Sequence, residues 1–127
     1  MERNDYRKFV MTNQEIENPF DLLLNYPSQH KLLSWLHKNC GNWNSVLGLQ
    51  TKIAKDIGFT KVTVCNSIKE LEKKELIIKD GKEGTTNRYM VNPHWIWKGE
   101  AKDHRLGIAK WDRAMQRKAE EEKESDF

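Results

Sequence analysis

The chain has 127 residues, a length typical of one domain, with 37% hydrophobic residues, 32% charged residues and a formal net charge of +3. This composition excludes a disordered chain, and no apolar run approaches the roughly 20 residues that cross a bilayer. Two cysteines and the lack of an apolar stretch after the charged N-terminus predict a cytoplasmic protein without structural disulfides or membrane contact.

The charge is unevenly distributed along the chain. Residues 119–127 contain five acidic residues and one lysine, a net charge of −4, so residues 1–118 carry +7. A basic body with an acidic tail is typical of proteins that have a polyanionic partner, although such charge also serves solubility alone.

The N-terminal part of the chain predicts an arm followed by a helix. Residues 1–27 form the arm, polar up to residue 18 and then apolar from Pro19, where a proline can start a helix. A helix capped by Ser28 follows and ends at residues 39–41, and a brief strand is predicted at residues 45–49. The apolar positions of the helix are Leu32, Leu33, Trp35 and Leu36.

The middle of the chain contains the pattern of a helix-turn-helix. A short helix over residues 50–57 and a longer one from Thr60 to about Lys74 flank a tight turn. Ala54 lets the second helix pass, Gly58 suits a left-handed backbone conformation, and Val64 fills the wedge between the helices. Strands over 76–79 and 87–92, with a turn at residues 80–81, predict a wing. The predicted fold class is therefore mainly α with a small β wing, a winged helix-turn-helix plus a C-terminal helix.

The C-terminal part predicts a charged helix from about Lys102 to Glu124. Gly107 is expected to weaken its first turns by about 1 kcal/mol relative to alanine. An apolar stripe along this helix is a hypothesised dimer contact, with packing against its own domain near the first long helix as the alternative; it comprises Ile108, Trp111 and Met115. The predicted organisation is an N-terminal arm (1–27), a winged helix-turn-helix domain (28–99), and a charged C-terminal helix with an acidic tail (100–127).

The second helix of the motif, about residues 60–74, is the predicted recognition helix, with the wing at about residues 79–88. The predicted inward stripe is Val64, Ser67, Ile68 and Leu71. The candidate DNA-binding residues are Thr60, Lys61, Val62, Thr63, Cys65, Asn66 and Lys69 on the helix, with Lys79, Lys82 and Arg88 in the wing. Cations bind phosphates, asparagine pairs with adenine, and valine can contact a thymine methyl, so double-stranded DNA is the expected partner. A winged-helix protein–protein adaptor that does not bind DNA is the alternative.

The chain shows no constellation for catalysis, so a protein without enzymatic activity, cofactor or metal is expected. The four histidines, His30, His37, His94 and His104, lack the spacing of a DNA-nicking metal site. The three tyrosines, Tyr6, Tyr26 and Tyr89, are interpreted as packing residues, and no P-loop occurs. His30, His37 and Cys40 could share a helix face but lack a fourth zinc ligand. Trp95 and Trp97 are expected to cover the first long helix instead of stacking on bases.

Three segments carry a family resemblance. They are residues 53–64 of the helix-turn-helix, Leu76-Ile77 at the start of the wing, and Tyr89-Met90-Val91-Asn92-Pro93 with the later Trp97-Lys98-Gly99. Over about residues 28–99 the sequence resembles the RepL family of plasmid replication proteins from Gram-positive bacteria. The resemblance implies a replication initiator that binds plasmid or phage origin DNA and recruits host replication proteins; a transcriptional regulator of the same fold is the alternative. The chain departs from the family at Leu49, where a Thr or Ser cap is expected, and in its acidic tail.

Overall fold

A computed structural model of the chain describes residues 11–12 and 18–125. The helices are α1 (Pro19–Leu22), α2 (Pro27–Asn39), α3 (Gln50–Ile57), α4 (Lys61–Lys73) and α5 (His104–Ser125), with short 3-10 turns at Asn42–Asn44 and Ala101–Asp103. The strands are β1 (Met11–Thr12), β2 (Ser45–Leu47), β3 (Ile77–Glu83), β4 (Thr86–Val91) and β5 (Ile96–Trp97).

An antiparallel sheet of three strands, in the order β2-β4-β3, separates two apolar cores. On one face, Ile77, Tyr89 and Val91 pack with α2, α3 and α4 in the larger core. On the other face, Ile78 and Met90 form a smaller core beneath α5. The alternation follows from the pleat of a strand, which sends neighbouring side chains to opposite faces. The winged helix with a C-terminal helix is thus confirmed, with that helix packed against the sheet.

The helix-turn-helix forms where the sequence predicts it. Gly58 follows α3 with a positive φ of 78°, and its N–H donates to the carbonyl of Ala54. Thr60 caps α4 by accepting a hydrogen bond from the N–H of Thr63 at 3.1 Å. Ala54 and Val64 are both buried between the helices. Local signals at fixed offsets therefore place both helices and the turn correctly.

The start of α2 differs from the prediction, whereas α3 starts at Gln50 as predicted. Ser28 is not a cap, because α2 begins one residue earlier at Pro27 and the Ser28 hydroxyl accepts a hydrogen bond from Ser67 at 2.9 Å. Proline at the first helical position needs no partner for its nitrogen, which allows the earlier start. Helix α3 begins directly after Leu49, whose side chain makes no capping hydrogen bond, as expected for an apolar residue.

The wing is a longer hairpin than predicted, and the turn assigned to Asp80-Gly81 is wrong. Strand β3 continues through these residues, with a register shift between Lys79 and Lys82, and the chain reverses at residues 84–85. Gly81 has a φ of +96°, which accommodates this bulge within the strand. A turn-forming dipeptide therefore serves here as a bulge.

Part of the predicted N-terminal arm belongs to the core. Leu23 is fully buried in the larger core and Phe20 packs against it. Asn18 caps α1 by accepting a hydrogen bond from the N–H of Phe20 at 2.9 Å. Strand β1 pairs antiparallel with β5, and residues 1–10 and 13–17 lie outside the described residues.

Asn44 links three parts of the chain that are distant in sequence. Its side chain is fully buried, and its Nδ2 donates to the carbonyls of Val91 at 2.9 Å and Ile96 at 2.7 Å. Its Oδ1 accepts a hydrogen bond from the backbone N–H of Lys98 at 2.7 Å. The Lys98 Nζ in turn donates to the carbonyls at the C-terminal end of α2, those of His37, Lys38 and Cys40, at 2.6, 3.3 and 3.1 Å. A cation at this end of a helix also complements its dipole.

The two neighbouring tryptophans lie in different cores, so the prediction that both cover the first long helix is wrong. Trp95 lies in a turn and packs edge-on against Phe20 in the larger core, with ring centroids 5.6 Å apart. Trp97, in β5, lies beneath α5 in the smaller core, 5.6 Å from Trp43. The turn breaks the extended conformation that would have placed both rings on one face. Both side chains are buried, which agrees with packing and not with base stacking.

Helix α5 is attached to the domain by polar contacts as well as by its apolar side. Lys110 pairs with Asp80 of the wing at 3.0 Å, and His94 Nε2 lies 2.9 Å from a carboxylate oxygen of Asp112. His104 Nε2 lies 2.6 Å from the carbonyl oxygen of Pro93. These contacts fix the helix along its first half, next to the wing.

We predict that Asn44→Ala lowers the free energy of unfolding by about 2–5 kcal/mol, because two carbonyls and one N–H lose their buried partner. Urea unfolding followed by circular dichroism measures this change. The matched control is Asn42→Ala, which removes an exposed asparagine from the same 3-10 turn and should change stability by less than about 0.5 kcal/mol. Equal effects of the two substitutions would contradict the role of Asn44.

We predict that Gly107→Ala destabilises the protein by about 1–3 kcal/mol, although alanine is the better helix former. A Cβ atom at position 107 would overlap the ring of Trp97, so either the helix or the ring must shift. At the exposed position Gln116, alanine should instead be more stable than glycine by about 1 kcal/mol. Thermal unfolding of Gly107→Ala, Gln116→Ala, Gln116→Gly and the unmodified chain tests this reversal of sign, and a more stable Gly107→Ala protein would refute it.

Candidate nucleic-acid interface

Helix α4 divides into a buried and an exposed face. The predicted inward side chains are all buried: Val64, Ser67, Ile68 and Leu71. They recur at the three- and four-residue spacing that places side chains on one side of a helix. The opposite face is therefore held toward solvent by the packing of the first.

The exposed face of α4 offers both polar and apolar groups to a partner. Lys61, Val62, Asn66 and Lys69 are exposed, and Val62 has 70% of its surface accessible. The asparagine amide can pair with an adenine edge, and the valine methyls can contact a thymine methyl. Exposure of apolar surface to water is unfavourable. A valine this exposed at the start of a helix therefore favours the interpretation of this face as a contact surface.

Three other candidates on α4 have structural roles or limited exposure. Thr60 caps the helix, and its hydroxyl also donates to the Thr63 hydroxyl at 3.0 Å. Cys65 is a half-buried free thiol. Thr60 and Thr63 thus define the start of the helix more than they present groups to a ligand.

The wing candidates differ in their availability. Lys79 and Lys82 are exposed on β3. Arg88 is half-buried on β4, where its guanidinium donates to the Ser45 hydroxyl at 3.0 Å and pairs closely with Glu83. Because these contacts occupy the guanidinium, Arg88 stabilises the wing and is less available to a partner than Lys79 and Lys82.

A polar groove joins the starts of α3 and α4 to the tip of the wing. It encloses about 280 Å³, and its lining includes Gln50, Thr51, Lys61, Thr86 and Asn87. Sequence reasoning missed the wing-tip residues because it placed the turn at residues 80–81 instead of 84–85. Leu49 provides no side-chain cap, so the N–H groups in the first turn of α3, which contributes Gln50 and Thr51 to the groove lining, have no capping side chain. Such a helix start can bind an anion.

Tyr89 and Gly48 hold the wing close to the helix-turn-helix. The Tyr89 ring occupies the space that a side chain at Gly48 would need, and the Gly48 N–H donates to the carbonyl of Asn87 at 2.9 Å. Burial raises the pKa of the Tyr89 phenol, as expected for a packing group. The interpretation as a packing residue does not hold for Tyr26, which is 49% exposed and has the Lys74 ammonium 4.9 Å from its ring centroid; Tyr6 lies outside the described residues.

Helix α3 is held against α2 by a polar contact. The indole Nε1 of Trp35 donates to Asp56 at 2.8 Å, and Lys52 pairs with the same carboxylate at 3.4 Å. The Trp35 hydrogen bond, supported by Lys52, lowers the pKa of Asp56. This contact orients the first helix of the motif and hence the groove at its start.

The histidines and the cysteine weighed as zinc ligands take part in packing. The Phe20 ring lies edge-on to the rings of both His30 and His37, with centroids 5.4 and 6.2 Å apart. Burial, with a contribution from the Lys98 ammonium, lowers the pKa of His37, and burial raises the pKa of the Cys40 thiol. Among the described residues, no group of three or more metal-binding side chains occurs.

The apolar stripe of α5 lies against its own domain. Trp111 is 3% exposed in the smaller core, Met115 packs against that core, and Ile108 is half-buried. The stripe therefore packs within its own domain, but against the sheet and not near the first long helix, where the alternative placed it. A dimer through these residues stays a prediction. Within residues 18–125, no helix is long and apolar enough to cross a membrane.

Comparisons with known proteins show the family of the chain. Two solved structures of S. aureus MepR are similar in part: a MepR–DNA complex (19% identity, TM-score 0.39, covering 85% of this chain and 76% of that one) and a MepR point mutant (20% identity, TM-score 0.37, covering 89% and 77%). A search of curated proteins gave no match. The family model described as Firmicute plasmid replication protein (RepL) matches residues 4–126. The chain, which joins a helix-turn-helix, a wing and a packed C-terminal helix, therefore belongs to the RepL family of plasmid replication proteins.

Proposed function

We propose that this protein initiates plasmid replication by binding double-stranded origin DNA in a sequence-specific manner through α4 and the wing. The observation that carries the proposal is the exposed face of α4, where Val62 and Asn66 stand between two lysines and next to the wing. Membership of a plasmid replication family supports the replication role.

Helix α4 has the dimensions that a recognition helix needs. Its 13 residues span about 20 Å at 1.5 Å per residue, and a B-DNA major groove about 12 Å wide admits a helix. With α4 in the groove, Asn66 and Val62 read base edges while Lys61 and Lys69 contact the flanking phosphates. The uncapped start of α3 offers N–H groups to another phosphate.

The wing extends the contact along the duplex. Lys79 and Lys82 are exposed on β3, and the Lys110–Asp80 ion pair fixes the hairpin relative to α5. Lysines in this position supply affinity without reading sequence, because a phosphate is the same at every base pair. Specificity therefore depends on α4, and overall affinity depends on both elements.

Replication then requires host proteins. The sequence carries no P-loop, and we propose that the protein neither cuts nor unwinds DNA but marks the origin and recruits host enzymes that do. A transcriptional regulator and a protein–protein adaptor are the competing functions. A footprint on DNA from the source replicon separates them: protection at the origin supports initiation, protection at a promoter alone supports regulation, and no protection supports the adaptor.

We predict that Asn66→Ala costs about 1–3 kcal/mol of binding free energy on the cognate site and relaxes the preference at one base pair. Fluorescence anisotropy with the cognate duplex and its single-base variants measures both effects. Asn42→Ala, at an exposed asparagine outside α4, is the control and should bind like the unmodified protein. Unchanged cognate binding by Asn66→Ala would show that another face of α4 meets the bases.

We predict that Lys82→Ala weakens binding to all sequences alike and lowers the slope of log K against log salt by about 1, as expected for one lost phosphate contact. Titrations at several salt concentrations on cognate and random duplexes measure the slope. The matched control is Lys102→Ala, which removes another exposed positive charge, just before α5. An identical slope for both variants would remove Lys82 from the contact surface.

A further inference from the structure

A second groove, lined by charged residues, lies beside the C-terminal half of α4. It encloses about 590 Å³ between α4, β3 and the last turns of α5. The buried side chains of Ile78 and Ala114 form part of its lining. The cations around it are Lys69 and Lys73 of α4, Lys79 of β3, and Arg117 and Lys118 of α5.

The groove has an excess of positive charge. Its five cations face three carboxylates, those of Glu72, Glu121 and Glu122, which leaves a net charge of +2. Within the described part of the chain, Lys69, Lys79 and Arg117 form no ion pair, and Lys73 pairs only with Glu70 at 3.5 Å. An incoming anion therefore meets several cations without first breaking an ion pair at each of them.

We propose that this groove binds the DNA phosphate backbone next to the recognition site, so that α5 forms part of the DNA-binding surface. The proposal rests on the proposed function and extends it. Lys69 lies three residues after Asn66 and Lys73 four residues after Lys69, so both continue the exposed face of α4. A helix about 20 Å long extends beyond a groove about 12 Å wide, so its C-terminal half reaches the backbone at the edge. There the guanidinium of Arg117 can bind a phosphate with two parallel hydrogen bonds.

The same groove contains competing anions from the chain itself. Glu121 and Glu122 come three and four residues after Lys118 on α5 and line the groove with the cations. Carboxylate and phosphate oxygens attract the same cations, so the two glutamates lower the affinity of the groove for DNA. Because both charges are near the surface, this competition weakens as salt rises. The acidic end of α5 therefore limits binding to DNA that lacks the cognate site.

The first test removes two groove cations from the full chain. In Arg117→Gln/Lys118→Gln, the slope of log K against log salt on a random duplex should fall by about 1–2, and affinity at low salt should fall about tenfold. The matched control, Lys102→Gln/Arg105→Gln, removes the same charges near the other end of α5, outside the groove, and should keep the slope. Thermal unfolding of both variants verifies that each is folded. Equal slopes for the two variants would overturn the proposal.

The second test removes one competing anion. Glu121→Gln should tighten binding to the random duplex about two- to fourfold at low salt and less at high salt. Glu120→Gln, an exposed neighbour outside the groove, changes the net charge identically and should have a smaller effect. Equal effects of the two substitutions would overturn the competing role of Glu121.

The proposed function and the groove proposal fail in different ways. If the wild-type chain shows no salt-dependent DNA binding, the proposed function itself is refuted. If binding depends on Asn66 but Arg117→Gln/Lys118→Gln leaves the slope of log K against log salt unchanged, only the proposal for the groove is refuted.

Discussion

The buried amide of Asn44 is the contact on which the arrangement of the domain depends. It joins the end of β4, strand β5 and the backbone of Lys98, and through the Lys98 ammonium it reaches the C-terminal end of α2. A side chain with both donors and an acceptor is needed at this place, since two carbonyls and one N–H converge on it. The amide thus connects the helices on one face of the sheet with the strand that leads to α5 on the other.

This connection explains the motif that is most distinctive of the sequence. In Tyr89-Met90-Val91-Asn92-Pro93, Tyr89 and Val91 face the larger core while Met90 faces the smaller one. In Trp97-Lys98-Gly99, the lysine ammonium donates to a carbonyl at the C-terminal end of α2. The tryptophan fills the space beneath α5 that Gly107 leaves open. The motif therefore serves to join two cores, and the proposed interface for DNA is built on the frame that it stabilises.

The accuracy of the sequence predictions depended on the range of the interactions involved. The turn between α3 and α4 was predicted correctly because Ala54, Gly58 and Thr60 act within a few residues of one another. The inward and outward faces of α4 followed from helical periodicity. The predicted wing turn was wrong because a local turn signal at Asp80-Gly81 forms a bulge, with Asp80 held by Lys110 from thirty residues away. Arg88 also contacts Ser45 and Trp97 also contacts Trp43, each more than forty residues away in sequence, so no pattern within either segment reveals these contacts.

Strand β3 lies at the edge of the three-stranded sheet, with β4 on one side. An open edge can accept a strand from another molecule, which leads to aggregation. Exposed Lys79, Lys82 and Glu83, together with the bulge, make this edge charged and irregular, so that a second copy of the chain cannot extend the sheet easily. The lysines that we propose for DNA phosphates thus also oppose edge-to-edge pairing of the sheet, and replacing them with apolar residues would weaken both properties together.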